Sequence, residues 1–383
     1  MSHREGQVRR RLSRAARPAA GQDDEDGGLT DRSHGPVVAV TGAAQGLGHA
    51  LTARLAASDR IGRVVAIDDH RGDVTGVTWR VVDVRDPALA GRLTGVDVVV
   101  HTDVDLAPDT EARARRAFNV RGAQTVLTAA AAGRVGRAVL VTSAMVYGAR
   151  PGNPVPPEET APPAADLDGS VVGDLLEIEQ LARRSTAAHP GLDVTVVRPA
   201  ALVGDGIETA VTRHFEAPRL LTVKGTRPRW QFCHVDDLVS ALELTAAGEL
   251  TGRFAVGCDG WLEQEDVEEI SGLRRLELPS GLTFGTVQRL HRAGLTPVPV
   301  VDLNFIVYPW VVDCRALRDA GWRPQHGNAE AFRILLDQRS SRLAVAGRRL
   351  ARKDTAAVAA GTVAVAAGTA AIVRRARRRR RSS

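Results

Sequence analysis

Short runs of branched apolar residues recur along the chain from Pro36 onward, and segments with a helical period of apolar positions separate them. The runs lie at 37–40, 64–67, 77–82, 96–100, 138–141 and 194–197, and the helical segments lie at 46–58, 110–132 and 172–188. Continuous apolar strands that alternate with helices are what a parallel sheet requires when helices cover both of its faces. The pattern therefore predicts an α/β fold built on a doubly wound parallel sheet.

The pattern also changes along the chain, and the changes divide it into four segments. Residues 1–34 carry a basic and an acidic block with few apolar positions, so we expect a disordered leader and not a secretory signal. Residues 35–200 are predicted to form a Rossmann-like domain, in which six prolines between 149 and 168 indicate a long irregular loop. Residues 201–338 are predicted to form a smaller substrate lobe, with a strand and a helix returning to the Rossmann-like domain. An Ala-rich, Arg-terminated tail occupies 339–383.

Charge is concentrated at the carboxyl end of the chain. The formal net charge of the 383 residues is +6, but seven arginines lie among the last ten residues, which leaves −1 for the rest. A nucleic-acid-binding core is therefore not implied. The three cysteines have no paired spacing, which excludes a disulfide framework and a Cys-rich zinc site, and a reducing cytoplasm is the simplest compartment.

A glycine-rich turn joins the first predicted strand to the first predicted helix. Its residues are Thr41, Gly42, Gln45, Gly46, Leu47 and Gly48. Such a turn brings backbone close to a pyrophosphate and places a helix N-terminus against it, which predicts a dinucleotide site. Asp68, at the end of the second strand, is placed to accept from a ribose 2′-hydroxyl and favours NAD over NADP, although Arg71 lies near. A tight turn without a ligand is the alternative.

Further motifs follow the glycine turn in order along the chain. They are Asp83-Val84, a strand end at His101, Asn119-Val120-Arg121-Gly122, Ser143-Ala144-Met145-Val146-Tyr147-Gly148, Val197-Arg198-Pro199, and Gly321-Trp322-Arg323-Pro324. With them the sequence resembles the extended short-chain dehydrogenases/reductases, the NAD-dependent epimerase/dehydratase family, from Val37 to about Gln338. Within this family it is similar to actinobacterial proteins described as UDP-glucose 4-epimerase-like.

The resemblance implies NAD as cofactor, a nucleotide sugar as substrate or ligand, and a homodimer. It implies that the glycine turn binds the cofactor together with Asp68, Asp83, Val84, His101 and Asn119. It also implies that Tyr147, Arg198 and Arg229 contact the substrate, although Arg229 could simply pack. Ser143 matches the family's serine that hydrogen-bonds the substrate oxygen; a hydroxyl that caps the strand end is an equal alternative.

The sequence departs from the family at the acid–base pair. Family members use Tyr-x-x-x-Lys on one helix face, where the tyrosine takes a hydroxyl proton as hydride leaves for NAD. Here Val171 falls at the tyrosine position and Leu175 at the lysine position, and neither Tyr147 nor Tyr308 has a lysine four residues later. Two hypotheses follow: an NAD-binding epimerase or dehydratase that lacks the pair, or a catalytically silent protein that binds NAD(H) or a nucleotide sugar.

Other polar groups are interpreted as structural. His101 lies at a strand end. Asp174 lies near a helix start, where its carboxylate interacts favourably with the positive end of the helix dipole. The run His234-Val235-Asp236-Asp237 has the residue types of a metal pair, but it precedes a helix predicted at 237–247, where aspartate caps are expected. The sequence therefore predicts no metal site.

The tail contains nineteen uncharged residues, 355–373, before the terminal arginines. As a helix they would extend about 28 Å, just short of the hydrocarbon core of a bilayer. Nine of the nineteen are alanine, and both flanks are basic, which opposes spanning. Three alternatives stay open: a spanning helix, association of 355–381 with an anionic membrane surface, and a disordered or self-associating Ala-rich tail of a cytoplasmic protein. No specific nucleic acid is predicted as a partner.

Removal of residues 354–383 tests the tail. If the arginines bind anionic lipid, the full chain should sediment with membranes at low salt and be released at high salt, while the truncated chain stays in the supernatant. Fractionation of cells that express either chain measures this. A full chain that stays in the supernatant at low salt would contradict lipid association, and one that resists salt extraction would indicate a spanning helix.

Overall fold

The computed structural model of the chain describes residues 35–217, 219–248, 250–279 and 302–339. The predicted leader, 1–34, and the tail segment 355–381 lie outside these residues, so their disorder and membrane association stay predictions. The chain divides into two units, Met1–Leu335 and Leu336–Ser383, and the fold below is that of the first. Among the described residues no helix has the length and apolar character needed to cross a membrane.

The described strands are β1 Val37–Thr41, β2 Arg63–Asp68, β3 Thr78–Val81, β4 Val98–His101, β5 Arg137–Val141, β6 Asp193–Pro199, β7 Ala201–Val203, β8 Leu220–Val223, β9 Arg229–Trp230, β10 Phe232–His234, β11 Arg253–Val256, β12 Leu262–Glu263 and β13 Arg275–Leu278. Seven of them form one parallel sheet in the order β11-β6-β5-β4-β1-β2-β3. The six predicted apolar runs are its strands β1 to β6, so the predicted doubly wound sheet is confirmed. Its seventh strand, β11, returns from the second half of the chain to pair with β6.

The described helices are α1 Gly46–Ala57, α2 Leu89–Arg92, α3 Ala112–Ala132, α4 Val171–Ala188, α5 Ala210–His214, α6 Val235–Ala247 and α7 Gln264–Ser271, with short helices at Ala144–Tyr147 (3₁₀), Asn304–Val307 and Arg315–Asp319. Residues 328–335 are also helical. The three predicted helical segments are confirmed as α1, α3 and α4, each within two residues of its expected ends. Helix α6 has 13 residues, one more than α1, and is predicted at 237–247. Helices α2, α5 and α7 span only four to eight residues, and no apolar period in the sequence marks them.

Side chains cap α3 and α4 but not α1. The carboxylate of Glu111 accepts from two backbone N–H groups at the start of α3, and Ser170 Oγ accepts from Gly173 N at the start of α4. Gln45, the N-cap of α1, makes no side-chain cap hydrogen bond, and no acidic residue lies in the first turn. The first N–H groups of α1 therefore stay without a side-chain acceptor, as an anion site requires.

Helix α6 corrects one sequence expectation. It begins at Val235, two residues before the start predicted at 237–247, and its N-cap is His234, whose Nδ1 accepts from Asp236 N at 3.2 Å. The predicted aspartate cap was wrong, because Asp236 and Asp237 lie within the first turn. There their carboxylates still favour the N-terminal end of the helix dipole.

Helix α4 buries its apolar face in the core of the sheet. Val171 and Leu175 are 7% and 0% exposed, and both belong to the apolar cluster that includes Ala39, Val99 and Leu140. Full burial of one such side chain contributes about 1.5–3 kcal/mol. Val171 and Leu175, the two positions that the resemblance sets against tyrosine and lysine, therefore carry side chains that stabilise the fold.

The proline-rich loop at 149–168 contains no helix or strand, as predicted, and a half-buried glutamate anchors it. Glu159 accepts from Ala255 N at 2.7 Å and from Ala316 N at 2.9 Å, and its backbone carbonyl accepts from the hydroxyl of Tyr147 at 2.7 Å. Burial raises the pKa of Glu159, against the effect of the two N–H bonds. One side chain thus connects the loop to β11 and to the short helix at Arg315–Asp319.

A buried ion pair continues this connection into the sheet. Arg198 on β6 donates through Nε and Nη2 to the carboxylate of Glu179 on α4, at 2.9 and 2.6 Å, and through Nη1 to the hydroxyl of Tyr147 at 2.9 Å. Burial acts to lower the pKa of Arg198, but Glu179 overcomes this effect and the net shift is upward, so the guanidinium stays charged. Two-point bonding of this kind fixes the orientation of both side chains.

Glu179→Gln should destabilise the protein by about 3 kcal/mol, because it leaves the buried guanidinium of Arg198 without a balancing charge. Urea unfolding at neutral pH measures the change. Asp166→Asn is the matched control: its partner, Arg150, is exposed, so the loss should stay below about 1 kcal/mol. Equal losses in the two variants would contradict the structural role of the buried pair.

Candidate functional site

The carboxyl ends of β1 and β4 form the crevice of the sheet, because the chain leaves these two neighbouring strands in opposite directions. Thr41 and His101 pair in register there, and Thr41 Oγ1 lies 2.8 Å from His101 Nδ1. Thr102 Oγ1 donates to the carbonyl of Thr41 at 2.7 Å, which holds the segment after β4 against β1. A cavity of about 520 Å³, here the cofactor cavity, opens in the crevice, with a volume in the usual range for small-molecule sites.

The glycine turn forms one wall of the cofactor cavity. Of the predicted cofactor residues, Gly42, Gln45, Gly46, Leu47 and Gly48 line it. Gly46 has φ +53° and open space where a side chain would begin, whereas a Cβ on Gly48 would lie 1.9 Å from the carbonyl oxygen of Gly42. Gly48 therefore permits close packing of helix against strand, and Gly46 leaves backbone exposed to a ligand.

Asp68 supports the glycine turn from the end of β2. Its Oδ2 accepts from Ala44 N at 2.9 Å and its Oδ1 from Asp69 N at 2.8 Å. Burial raises the pKa of Asp68, while the two N–H bonds act in the opposite direction. The carboxylate thus fixes the turn, and each oxygen keeps a second lone pair with which it could accept from a ribose hydroxyl.

The other predicted cofactor residues, His101, Asn119, Val84 and Asp83, are not among the residues that line the cofactor cavity. Burial lowers the pKa of His101 to about 4, so its imidazole is neutral. It pairs with the hydroxyl of Thr41 at the end of β4. Asn119 accepts from Asp105 N at 2.8 Å and donates to Asp105 O at 3.0 Å, which fixes the segment after β4. Val84 is buried, and Asp83 is half-exposed and binds Arg85 at 2.6 and 2.9 Å.

Asp103 is a cavity residue that the sequence reasoning missed. It lines the cofactor cavity opposite the glycine turn, where a Cβ on Gly42 would lie 3.0 Å from the Cβ of Asp103. Burial raises the pKa of Asp103 to about 7, and the charges of Asp68, Asp69 and Asp83 add to the shift. The signal in the sequence was an acidic residue two positions after the buried strand end at His101.

A second, smaller cavity of about 40 Å³, here the inner cavity, adjoins the first and shares five lining residues with it: Leu106, Thr142, Pro199, Leu202 and Thr209. Ser143 and Val171 line it, and so does Asp302, which the sequence reasoning also missed. Ser143 Oγ accepts from Met145 N at 3.2 Å. The serine therefore makes the capping contact and lies at the inner cavity, so the two roles considered for it do not exclude each other.

These residues fit a dinucleotide: free N–H groups at a helix start, an exposed glycine backbone beside a cavity, and a carboxylate at the end of the next strand. The model of the NAD dependent epimerase/dehydratase family matches residues 38–253, more than half of the chain. The chain belongs to this family. The prediction of NAD as the cofactor is confirmed by this membership.

One curated relative and two solved structures are similar to the chain. The uncharacterized protein Rv0501 of Mycobacterium tuberculosis is 31% identical over 309 residues, which cover 77% of this chain and 82% of that protein. A structure of MoeE5 in complex with UDP-glucose and NAD has a TM-score of 0.60 at 23% identity, and the match covers 80% of this chain and 99% of the MoeE5 chain. The UDP-glucose 4-epimerase of Thermus thermophilus in complex with NAD has a TM-score of 0.58 at 20% identity, with coverages of 79% and 99%. At these identities the two structures show the fold alone.

The predicted substrate residues of this epimerase/dehydratase family member do not line either cavity. Tyr147 and Arg198 are buried in the ion-pair network, where the tyrosine hydroxyl already has two partners. Arg229 binds Glu263 at 3.1 Å and lies over the ring of Trp261 at 4.8 Å, which is the packing alternative. Contact of any of the three with substrate stays a prediction.

The histidine–aspartate run lies apart from the cavities. His234, Asp236 and His326 place one potential ligand atom each within 4.8 Å of one another. Asp237 Oδ2 lies 3.0 Å from His326 Nδ1, and Asp237 Oδ1 accepts from Gln325 N at 2.7 Å. These contacts join the start of α6 to the segment at 325–326, which is a structural function.

Asp103→Asn should tighten NAD binding above neutral pH by about tenfold. This is the effect expected when repulsion between the carboxylate and the pyrophosphate shifts the pKa of Asp103 by about one unit. Above its pKa of about 7 the carboxylate adds negative charge beside the pyrophosphate site, so wild-type affinity should fall as the pH rises through 7. Calorimetric titration with NAD between about pH 6 and pH 8 measures both effects. Asp59→Asn, at an exposed position away from the cavity, should leave the pH profile unchanged. A wild-type affinity that does not vary with pH would contradict the prediction.

Proposed function

We propose that the protein binds NAD in the cofactor cavity and a nucleotide sugar in and beyond the inner cavity, as an oxidoreductase of the epimerase/dehydratase type. The observation that carries the proposal is the junction of the two cavities at the carboxyl edge of the sheet. One cavity begins at the glycine turn, and the other at Ser143. The complexes of MoeE5 with UDP-glucose and NAD and of the Thermus thermophilus epimerase with NAD support this ligand pair.

Each part of the dinucleotide has a matching feature in the chain. The N–H groups at the start of α1 would hold the pyrophosphate, and the carboxylates of Asp68 and Asp83 would accept from the adenosine ribose and the adenine. When bound, NAD supplies the acceptor for a hydride from a sugar carbon. Ser143, at the inner cavity, would donate to or accept from the sugar oxygen beside that carbon.

A catalytically silent NAD(H)- or nucleotide-sugar-binding protein is the second candidate, and α4 favours it. This helix contains neither tyrosine nor lysine, and Val171 and Leu175 are packed in the core at the two positions concerned. Loss of general acid–base assistance lowers a rate by about 10²- to 10⁴-fold. Under this proposal the protein would act through partners. A homodimer, a cytoplasmic location and a membrane surface near the tail belong to either candidate as proposals.

Gly46→Ala should weaken NAD binding by about tenfold or more, because its methyl group enters the cofactor cavity where the backbone approaches the pyrophosphate. Gly76→Ala is the matched control, since Gly76 also has a positive φ (+74°) and open space but lies away from the cavity. Calorimetric titration with NAD compares the two variants, and their melting temperatures are measured to show that both are equally folded. No NAD binding by the wild type would contradict the proposed function.

Turnover of UDP-sugars separates the two candidates. The wild type, saturated with NAD, is incubated with UDP-glucose, UDP-glucuronic acid or UDP-N-acetylglucosamine, and both sugar products and reduced nicotinamide are measured. Product formation favours the oxidoreductase. Tight NAD binding without product favours the silent protein.

A further inference from the structure

The inner cavity contains a buried carboxyl group, that of Asp302, which no interaction with the described residues explains. Asp302 is 3% exposed, and among the described residues that line the inner cavity it is the one with a charge. Its Oδ1 has no hydrogen-bond partner among the described residues. Most of the other lining residues are apolar, Met145, Val171 and Trp310 among them. A buried polar atom without a partner is rare in folded proteins and is found preferentially at functional sites.

Within the described part of the chain, this carboxyl group neither caps a helix nor completes an ion pair. The short helix at Asn304–Val307 has Leu303 as its N-cap and no side-chain cap hydrogen bond, so Asp302 does not serve as a cap there. The opposite charge that acts on it is Arg115, which already binds Asp174 at 2.8 Å and the carbonyl of Gly169 at 2.7 Å. The burial of Asp302 therefore disfavours its charged form without a compensating bond at Oδ1.

The position of Asp302 relates it to the missing acid–base pair. It shares the inner cavity with Val171, which stands where the family has its tyrosine, and with Ser143, which matches the family's substrate-binding serine. Burial raises the pKa of Asp302 to about 6, with Arg115 lowering it and Asp168 raising it. A carboxyl group with a pKa close to neutrality can both accept and return a proton at physiological pH.

We propose that Asp302 is the catalytic acid–base residue of this protein, in place of the tyrosine that α4 lacks. The inference rests on the proposed function. Its carboxylate accepts the proton of a sugar hydroxyl as the O–H bond breaks and the carbonyl C=O bond forms. The electron pair of the adjacent C–H bond leaves as hydride, for which the NAD of the family is the acceptor. The products are a keto-sugar, reduced nicotinamide and a neutral Asp302, which returns the proton in the reverse step.

The first test compares wild type with Asp302→Asn, which keeps the shape of the side chain but cannot accept the proton. Reduction of bound NAD by UDP-glucose should fall by about a hundredfold or more, while the dissociation constant for NAD stays within about twofold. The wild-type rate should rise with pH through about 6, as the carboxylate forms, and the residual rate of the variant should not. Asp319→Asn, an exposed position outside both cavities, should keep the wild-type rate and pH profile.

A stability measurement gives a readout independent of activity. The pKa of Asp302 is raised in the folded state from an ordinary value of 3.8 to about 6. Wild-type stability is therefore lost as the pH rises from about 4 to about 6, because the unfolded chain releases this proton first. Asp302→Asn should consequently melt at a higher temperature than wild type near neutral pH, with a difference that shrinks toward about pH 4. A variant with a lower melting temperature would indicate that Asp302 is structural.

The outcomes separate this inference from the proposed function. NAD binding and turnover that survive unchanged in Asp302→Asn would overturn the role of Asp302 and leave the proposed function intact. NAD binding by the wild type without turnover of any of the three UDP-sugars would also overturn it, in favour of the silent protein. A wild type that does not bind NAD would overturn the proposed function, and this inference with it.

Discussion

The parallel pairing of β1 with β4 is the constraint on which the candidate site depends. The chain leaves β1 toward β2 on one side and β4 toward β5 on the other, so the two connections diverge and leave a crevice between the carboxyl ends of the strands. The bonds from Thr41 to His101 and Thr102 lock this edge, and the uncapped start of α1 follows directly from it along the chain. The order of the strands thus sets the place of the crevice, and the uncapped start of α1 supplies its free N–H groups.

The side chains that do line the crevice make it acidic. Asp103, Asp105 and Glu208 are found among the described residues of the cofactor cavity, and no described arginine or lysine is. An anionic ligand would therefore be held by backbone N–H groups and the helix dipole, with Asp103 as an opposing charge. Asp302 adds a further carboxyl group in the adjoining inner cavity. Both carboxyl groups have raised pKa values because they are buried, and both reduce the stability of the fold when ionised.

Helix α4 shows how packing and chemistry compete for the same positions. Val171 and Leu175 join the core, while Glu179, on a later turn, holds Arg198 and through it Tyr147 and the proline-rich loop. The helix thus contributes the apolar side chain of Val171 to the inner cavity. Among the described residues that line this cavity, Asp302 is the one with an ionisable side chain.

Local sequence determined the strands β1 to β6, the helices α1, α3 and α4, the glycine turn and the absence of tyrosine and lysine from α4, because apolar period and turn chemistry act over a few residues. It also marked Gly42, Gly46 and Gly48, whose roles depend on backbone conformation. Only the tertiary structure placed Asp103 against the glycine turn and Asp302 in the same cavity as Ser143. It also buried Tyr147 and Arg198 in one hydrogen-bonded network with Glu179. Those contacts join residues far apart in the chain, and burial, which decides the charge and the partners of each group, is a property of the packed molecule.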